Sequence, residues 1–179
     1  DTQKRLSGVI QEESGRLNGI VTEFLDFARP QTPNLQEISL ADVLRKNLSF
    51  LQPELEKKGI RLEHNLDGRR FELRADPDLL YQAFLNILIN AVQAQEEGGK
   101  VTVQVTRERD AHRVEIRDQG NGIDEKNLSK LFNPFFTTKE QGTGLGLSIV
   151  KKIVEGHNGK IDIQTRPGAG TTVVIRLPR

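Results

Sequence analysis

The change of hydrophobic period along the chain restricts its fold more than any other feature. From Leu6 to Phe27 apolar residues recur at alternating steps of four and three, at Leu6, Ile10, Leu17, Ile20, Phe24 and Phe27, with Glu13 the one polar interruption. That spacing is a coiled-coil or bundle seam, the mark of a helix that needs a partner. Ala28-Arg29-Pro30 ends it, because proline disfavours helical backbone at the residue before it, and Pro33 prolongs the break. The expected organisation is a bundle helix over residues 1–30, a linker over 31–38 and a mixed domain over 39–179.

Beyond the break the period alternates between that of helices and that of strands. Ser39 with Asp42 resembles a weak capping box ahead of a stripe at Leu40, Val43, Leu44, Leu48, Leu51 and Leu55, which Gly59 stops. Residues 60–64 and the stretch around Phe71-Glu72-Leu73 read as short strands about an Asp67-Gly68 turn. Asp76 suits an N-cap and Pro77 the first helical position. The helix they open turns Leu79, Leu80, Ala83, Phe84, Ile87, Leu88 and Ala91 to a core, and Gly98-Gly99 is its expected stop. Paired strands follow at 101–105 and 114–116, then a short helix near 124–131, a helix after Gly146 with Ile149, Val150, Ile153 and Val154 inward, and strands at 161–165 and 171–177. Helices and strands mix without a regular βαβ beat. The expected fold is therefore an α/β sandwich with helices on one face of a mixed sheet, not a doubly wound one.

Composition narrows the chemistry only at its edges. A formal net charge of +1 over 179 residues gives no electrostatic footprint for nucleic acid or a membrane surface. Zero cysteines remove disulfides and thiolate metal sites, so the cytoplasm is the expected compartment. No apolar run approaches a membrane span. The lack of any methionine suggests an excised piece of a larger protein, with membrane anchoring of that parent left open.

Four clusters carry chemical possibilities. Asn86 and Asn90 share a helix face with Gln82; a solvated face is the bland reading, and amide oxygens holding a hard cation such as Mg²⁺ the functional one. Asp118-Gln119-Gly120-Asn121-Gly122-Ile123 follows a strand: an ordinary turn, or a carboxylate accepting from an adenine amine with glycines leaving room for the ring. Gly142-Thr143-Gly144-Leu145-Gly146 opens a helix, where free N–H groups and the helix dipole favour phosphate and Lys139 adds a charge; a flexible connector is the alternative. It matches neither the dinucleotide fingerprint nor a P-loop. Between them lies Phe132-Asn133-Pro134-Phe135-Phe136-Thr137-Thr138-Lys139, an aromatic cluster in an expected loop.

Together and in this order, the clusters resemble the GHKL (Bergerat) ATP-binding domain of sensor histidine kinases across positions 36–179. Asn86 to Ala91 is similar to the N box, Asp118 to Ile123 to the G1 box, Phe132 to Lys139 to the F box and Gly142 to Gly146 to the G2 box. The leading helix resembles the second helix of the dimerisation and phosphotransfer hairpin, most like the nitrogen-regulatory subclass. The resemblance implies a two-component protein-histidine kinase domain with ATP and Mg²⁺ as cofactors. It implies Asn90 as metal ligand, Asn86 supporting metal and phosphates, Asp118 reading adenine, and Gly142 to Gly146 with Lys139 lining the triphosphate. Gln93, Gly120, Gly122, Ile123, Phe132, Thr138, Leu147 and Thr171 complete the implied nucleotide site. The implied partners are a hairpin histidine, a response regulator and, in the intact protein, a second copy.

The phosphoacceptor itself is missing, since His64, His112 and His157 lack the family's His-Glu-x-x-Asn-Pro surroundings and read as surface or packing residues. Asn133 stands where the subclass usually has an acid and Gln95 where it often has methionine, and only Glu140 and Gln141 separate Lys139 from the glycine loop, so the lid is expected to be short. Hydrolases of the same superfamily place a glutamate where this chain has Asn86, and an amide cannot take a proton from water at neutral pH. That favours holding ATP for a separate nucleophile. A nucleotide-binding module without transfer is the other alternative, opposed by the intact boxes.

Overall fold

The computed structural model describes residues 2–28, 32–139 and 142–179. The seam forms α1 (Thr2–Ala28), and Leu17, Val21, Phe24 and Leu25 on it remain exposed. The expected breakers Arg29 and Pro30, and the side chains of Leu6, Ile10 and Glu13, lie outside the described residues. Among the described residues no helix is long and apolar enough to cross a membrane.

Within the segment expected as linker, the structure shows a strand, β1 (Gln36–Ser39). It pairs antiparallel with β3 (Glu72–Ala75), from Gln36 opposite Ala75 to Ser39 opposite Glu72. Its sequence offers one apolar residue in four, so the strand depends on its partner rather than on local pattern. Helix α2 (Leu40–Lys57) follows at once, with Leu40 N bonded to Phe71 O at 3.0 Å. The anticipated capping box does not form: Ser39 is at the N-cap with extended backbone but makes no side-chain cap bond, and Asp42 pairs with Arg45 instead.

The two short strands expected about Asp67-Gly68 are not partners. β2 (Arg61–His64) runs parallel beside β4 (Lys100–Arg107), whereas β3 belongs to the small sheet with β1. Leu66 and Phe71, both buried, anchor the connection in the core and separate the two segments. The main sheet runs β2-β4-β5-β7-β6, antiparallel except for β2 on β4, with β5 (Ala111–Asp118), β6 (Lys160–Thr165) and β7 (Thr171–Pro178). Val101, Val103, Val105, Val114, Ile116, Val173, Ile175 and Leu177 join the core, and the residues between them on β4 are polar.

Helix α3 (Pro77–Gln93) buries Leu80, Ala83, Phe84, Ile87, Leu88, Ala91 and Val92. Each large side chain among them is worth roughly 1.5–3 kcal/mol of transfer. The helix stops at Gln93, short of the glycines expected to end it. Ala94 N closes the last turn on Asn90 O, and buried Gln95 then turns back so that its Oε1 accepts from Lys100 N at 2.9 Å. A short α4 (Glu125–Leu128) and then α5 (Gly146–Gly156) complete the helices, with α5 packing Ile149, Val150, Ile153 and Val154 inward beside α3. The result is the expected sandwich, helices on one face of a mixed sheet, plus the unanticipated two-stranded sheet.

Asp76 joins three parts of this frame. Its Oδ1 accepts from Asp78 N and Leu79 N at 3.0 and 3.1 Å, its Oδ2 accepts from Asn34 N at 2.9 Å, and its own N–H donates to His157 Nε2 at 2.9 Å. His157 Nδ1 lies 2.7 Å from Ile153 O, so both ring nitrogens are engaged and it is a packing histidine. His112 is likewise buried, 3.0 Å from Glu72 O, and desolvation lowers its pKa. Asp76→Ala should cost roughly 1–2 kcal/mol in urea unfolding, from the lost cap; an unchanged midpoint would contradict the anchoring role.

Candidate functional site

Two groups of side chains face the region between α3, the end of β5 and the start of α5. The first is built on Asp118, the last residue of β5, which is 5% exposed. Its Oδ1 accepts from Gly120 N at 2.8 Å and Thr171 N at 3.1 Å, and no described residue donates to Oδ2. Burial raises the carboxyl pKa above its ordinary value while the two backbone donors oppose that shift. Ile123 N reaches the same corner through Thr165 Oγ1 at 2.9 Å.

The glycines here answer to the backbone before any ligand. A Cβ on Gly120 would lie 2.3 Å from Ala94 O, and one on Gly122, whose φ is +67°, would lie 2.1 Å from Arg166 O. The chain's own backbone thus requires both glycines, independently of any room they leave for a flat ring.

The second group is Asn90, Gln93 and Lys139. The Lys139 ammonium donates to Asn90 Oδ1 and Gln93 Oε1, both at 2.7 Å. Although the lysine as a whole is exposed, its ammonium is enclosed enough for desolvation to lower its pKa. Two amide oxygens one helical turn apart therefore converge on one cation. Asn86 lies one turn earlier, and its Cγ is 3.9 Å from where a Cβ on Gly146 would be, so the N-terminus of α5 sits over it. Among the described residues no side chain caps that N-terminus. Its first N–H groups have no partner within the helix, the condition that favours an anion.

The phenylalanine loop supports this terminus. Gly144, with φ +71°, brings its Cα so close to Phe135 and Phe136 that a Cβ would stand 2.4 Å from Phe135 C. Substitution at Gly144 accordingly strains this loop contact first, whatever its effect on phosphate. Phe132 lies beneath Lys151, with Nζ 5.5 Å from its ring centre. Exposed Phe135 meets Phe27 of α1 edge-on at 6.4 Å, and Lys152 both donates to Phe27 O at 2.8 Å and lies 3.8 Å over its ring. Leu145 is buried and Leu147 half-buried, Leu145 N bonds Thr143 Oγ1 at 3.3 Å, and Gly142 sits beside Thr137 Oγ1. Thr138 is exposed, and Glu140 and Gln141 lie outside the described residues.

With that geometry in place, comparison with known proteins is decisive at the level of family. The model for histidine kinase-, DNA gyrase B- and HSP90-like ATPases matches residues 75–179. The chain belongs to this family. Within it, the relatives are histidine kinases: the sensor histidine kinase ZraS of Escherichia coli (strain K12) is 34% identical over 97% of the chain, and the signal transduction histidine-protein kinase AtoS of the same strain is 37% identical over 95%. The chain spans 37% and 28% of the length of those two proteins. Its fold matches the catalytic domain of histidine kinase ThkA with a TM-score of 0.75 at 32% identity, covering 81% of this chain and 95% of that one. ThkA in complex with the response regulator TrrA matches with a TM-score of 0.82 at 29% identity, over 99% of this chain and 52% of that one. This chain is a histidine-kinase catalytic domain of the ATP-binding GHKL fold, preceded by a long helix.

One residue of the Asp118 corner was not singled out from sequence. Thr165 stands opposite Thr171 across the β6–β7 hairpin, and its hydroxyl contacts three partners. The available signal was strand alternation through the Pro167-Gly168 turn, which places the two threonines in register. For Asp118 the raised pKa sets a sign: stability is greatest below the ordinary carboxylate value and is lost as pH rises through the folded value. Asp118→Asn, which keeps the acceptor for Gly120 and Thr171, should therefore unfold at pH 7 at a urea concentration equal to or above the parent's. A clear loss of stability would contradict this account of Asp118.

Proposed function

We propose that this domain binds Mg-ATP, with adenine at Asp118 and the phosphates between Asn86, Asn90 and the N-terminus of α5. It would then present the γ-phosphate to a histidine on the dimerisation hairpin of the intact protein. The observation that carries the reading is the convergence of the Asn90 and Gln93 oxygens on the Lys139 ammonium, because it marks a cation position within reach of a helix N-terminus.

The residues fit the metal. Mg²⁺ takes oxygen ligands and keeps waters and substrate phosphates in its shell. Among the described residues no cluster of three His, Asp or Glu could cage a metal alone, so amide oxygens plus phosphates form the consistent donor set. Asn90 would ligate the metal and Asn86 support it; bound Mg²⁺ would draw charge off the phosphate oxygens. Lys139, released from Asn90, would turn its charge to the phosphates. Free Asp118 Oδ2 would accept from the adenine amine, and the buried carboxylate makes that a charge-assisted bond.

No carboxylate occupies position 86, which supports transfer to a separate nucleophile over hydrolysis. Positioning and charge neutralisation then carry most of the work. The unpaired face of α1 supports a homodimer in the intact protein, and the match to ThkA with TrrA supports a response regulator as the downstream partner. A cytoplasmic setting belongs to the same reading.

Calorimetric titration with ADP and a non-hydrolysable ATP analogue, with and without Mg²⁺, tests the assignment. Saturable binding strengthened by the metal is expected, with Asn90→Ala losing that strengthening by about tenfold or more, as for a lost partner of a charged group. No binding by the folded chain would overturn it. This chain incubated alone with ATP should form no acid-labile phosphohistidine, and its detection would contradict the assignment of the acceptor to a segment outside it.

A further inference from the structure

Lys139 is held at both ends. Its backbone N–H donates to Thr137 Oγ1 at 3.1 Å and its carbonyl accepts from Gly142 N at 3.2 Å, which fixes it at the entry to the glycine loop. A Cβ on Gly142 would stand 3.2 Å from Lys139 Cβ, so the loop turns tightly around the lysine. At the far end of the side chain the ammonium donates to Asn90 Oδ1 and Gln93 Oε1, each at 2.7 Å. Among the described residues no carboxylate pairs with it. Its seat is therefore made of two neutral amide oxygens, and one of them belongs to the residue proposed to ligate Mg²⁺. An ammonium has three N–H donors. With two given to Asn90 and Gln93, one is left for a phosphate oxygen.

We infer that Lys139 is a tethered stand-in for the metal: in the nucleotide-free domain its ammonium occupies the Asn90 oxygen, with Gln93 completing the seat, and it leaves before Asn90 takes a divalent ion. This deepens the Mg-ATP reading and rests on Asn90 as the ligand. Two cations on one amide oxygen repel, so Lys139 and the metal use the seat in turn. Lysine suits the exchange, being a compact charge with rotatable donors on a flexible four-carbon stem. While the metal is absent, the ammonium is a positive charge near the N-terminus of α5, where it offsets the charge of a bound phosphate. Lys139 thus supports metal-free nucleotide and opposes metal entry, two effects of opposite sign. A lysine that only touched phosphate would have the first effect without the second. Gln93 acts through the lysine, and its removal takes away half of the seat.

The test is calorimetric titration of ADP at a series of fixed Mg²⁺ concentrations, starting from metal-free buffer. The samples are this chain, its Lys139→Gln, Lys139→Arg and Gln93→Ala variants and the Lys139→Gln, Gln93→Ala double variant, each first checked for cooperative unfolding. Mg-ADP forms in solution equally in every sample, so differences belong to the protein. Lys139→Gln should weaken metal-free ADP by about tenfold, the scale of a lost hydrogen bond to a charged group. It should also lower, by about tenfold, the Mg²⁺ concentration that gives half of the metal's strengthening. Lys139→Arg, which keeps the charge, should restore the parent's Mg²⁺ requirement. Gln93→Ala should lower that requirement too, and the double variant should fall no further than Lys139→Gln, because both act through one contact. A Mg²⁺ requirement unchanged or raised in Lys139→Gln, or additive effects of the two substitutions, would overturn the stand-in role while leaving the pocket assignment intact. A folded parent that binds no ADP at any Mg²⁺ concentration would overturn the pocket assignment itself.

Discussion

A carboxylate buried at the end of a central strand holds the working half of this domain together. Asp118 closes β5, and through one oxygen it binds Gly120 of the following loop and Thr171 at the start of β7. Burial makes the charged form costly, and two backbone donors on the same oxygen offset part of that cost. The loop, the β6–β7 hairpin and the end of α3 are thereby brought within van der Waals contact. Ala94 lies against Gly120, and the Gly170 backbone presses on Asp118 O so closely that a Cβ there would stand at 2.2 Å. The second oxygen remains available.

The opposite side of the region follows a different logic, with amide oxygens and helix N–H groups in place of a carboxylate. Asn86, Asn90 and Gln93 reach out from α3 because their apolar neighbours on the helix, Ile87, Leu88, Ala91 and Val92, are locked into the core. Lys139 bridges from the phenylalanine loop to this face, and that loop in turn carries Gly144 and touches Phe27 on α1. A change around Lys139 and Gly144 can therefore be felt at the long helix through direct contacts: Phe135 to Phe27, and Lys152 to the carbonyl and ring of the same residue. These contacts give this catalytic domain a physical link between its phenylalanine loop and the helix that precedes it.

Much of the architecture was legible because it rests on periodicity and local chemistry. The α2 and α3 stripes, the Asp76-Pro77 start, the alternation in β4 and β5 and the glycine-opened α5 all lie where the pattern puts them. What escaped depends on partners distant in sequence. Gln36 to Ser39 becomes a strand only because β3 lies beside it, β2 joins β4 instead of its neighbour, and α3 ends early because Gln95 finds Lys100. At the site, the chemical residue types were visible, but part of the reason for them was not. Gly120, Gly122 and Gly144 are demanded first by backbone approaching backbone, information that spacing does not contain. Thr165 was silent for the same reason: a threonine on a short strand declares nothing until its three partners are placed around it.

The most direct measurement is a backbone and side-chain amide NMR titration of this chain with Mg-ADP. The account requires the largest shifts at Gly120, Ile123 and Thr171 around Asp118 and at the Asn86 and Asn90 side-chain amides, with Gly144 to Gly146 moving in step. Shifts confined to the polar outer face of the sheet or to α1, with Asp118's neighbours and the two asparagines unmoved, would contradict it.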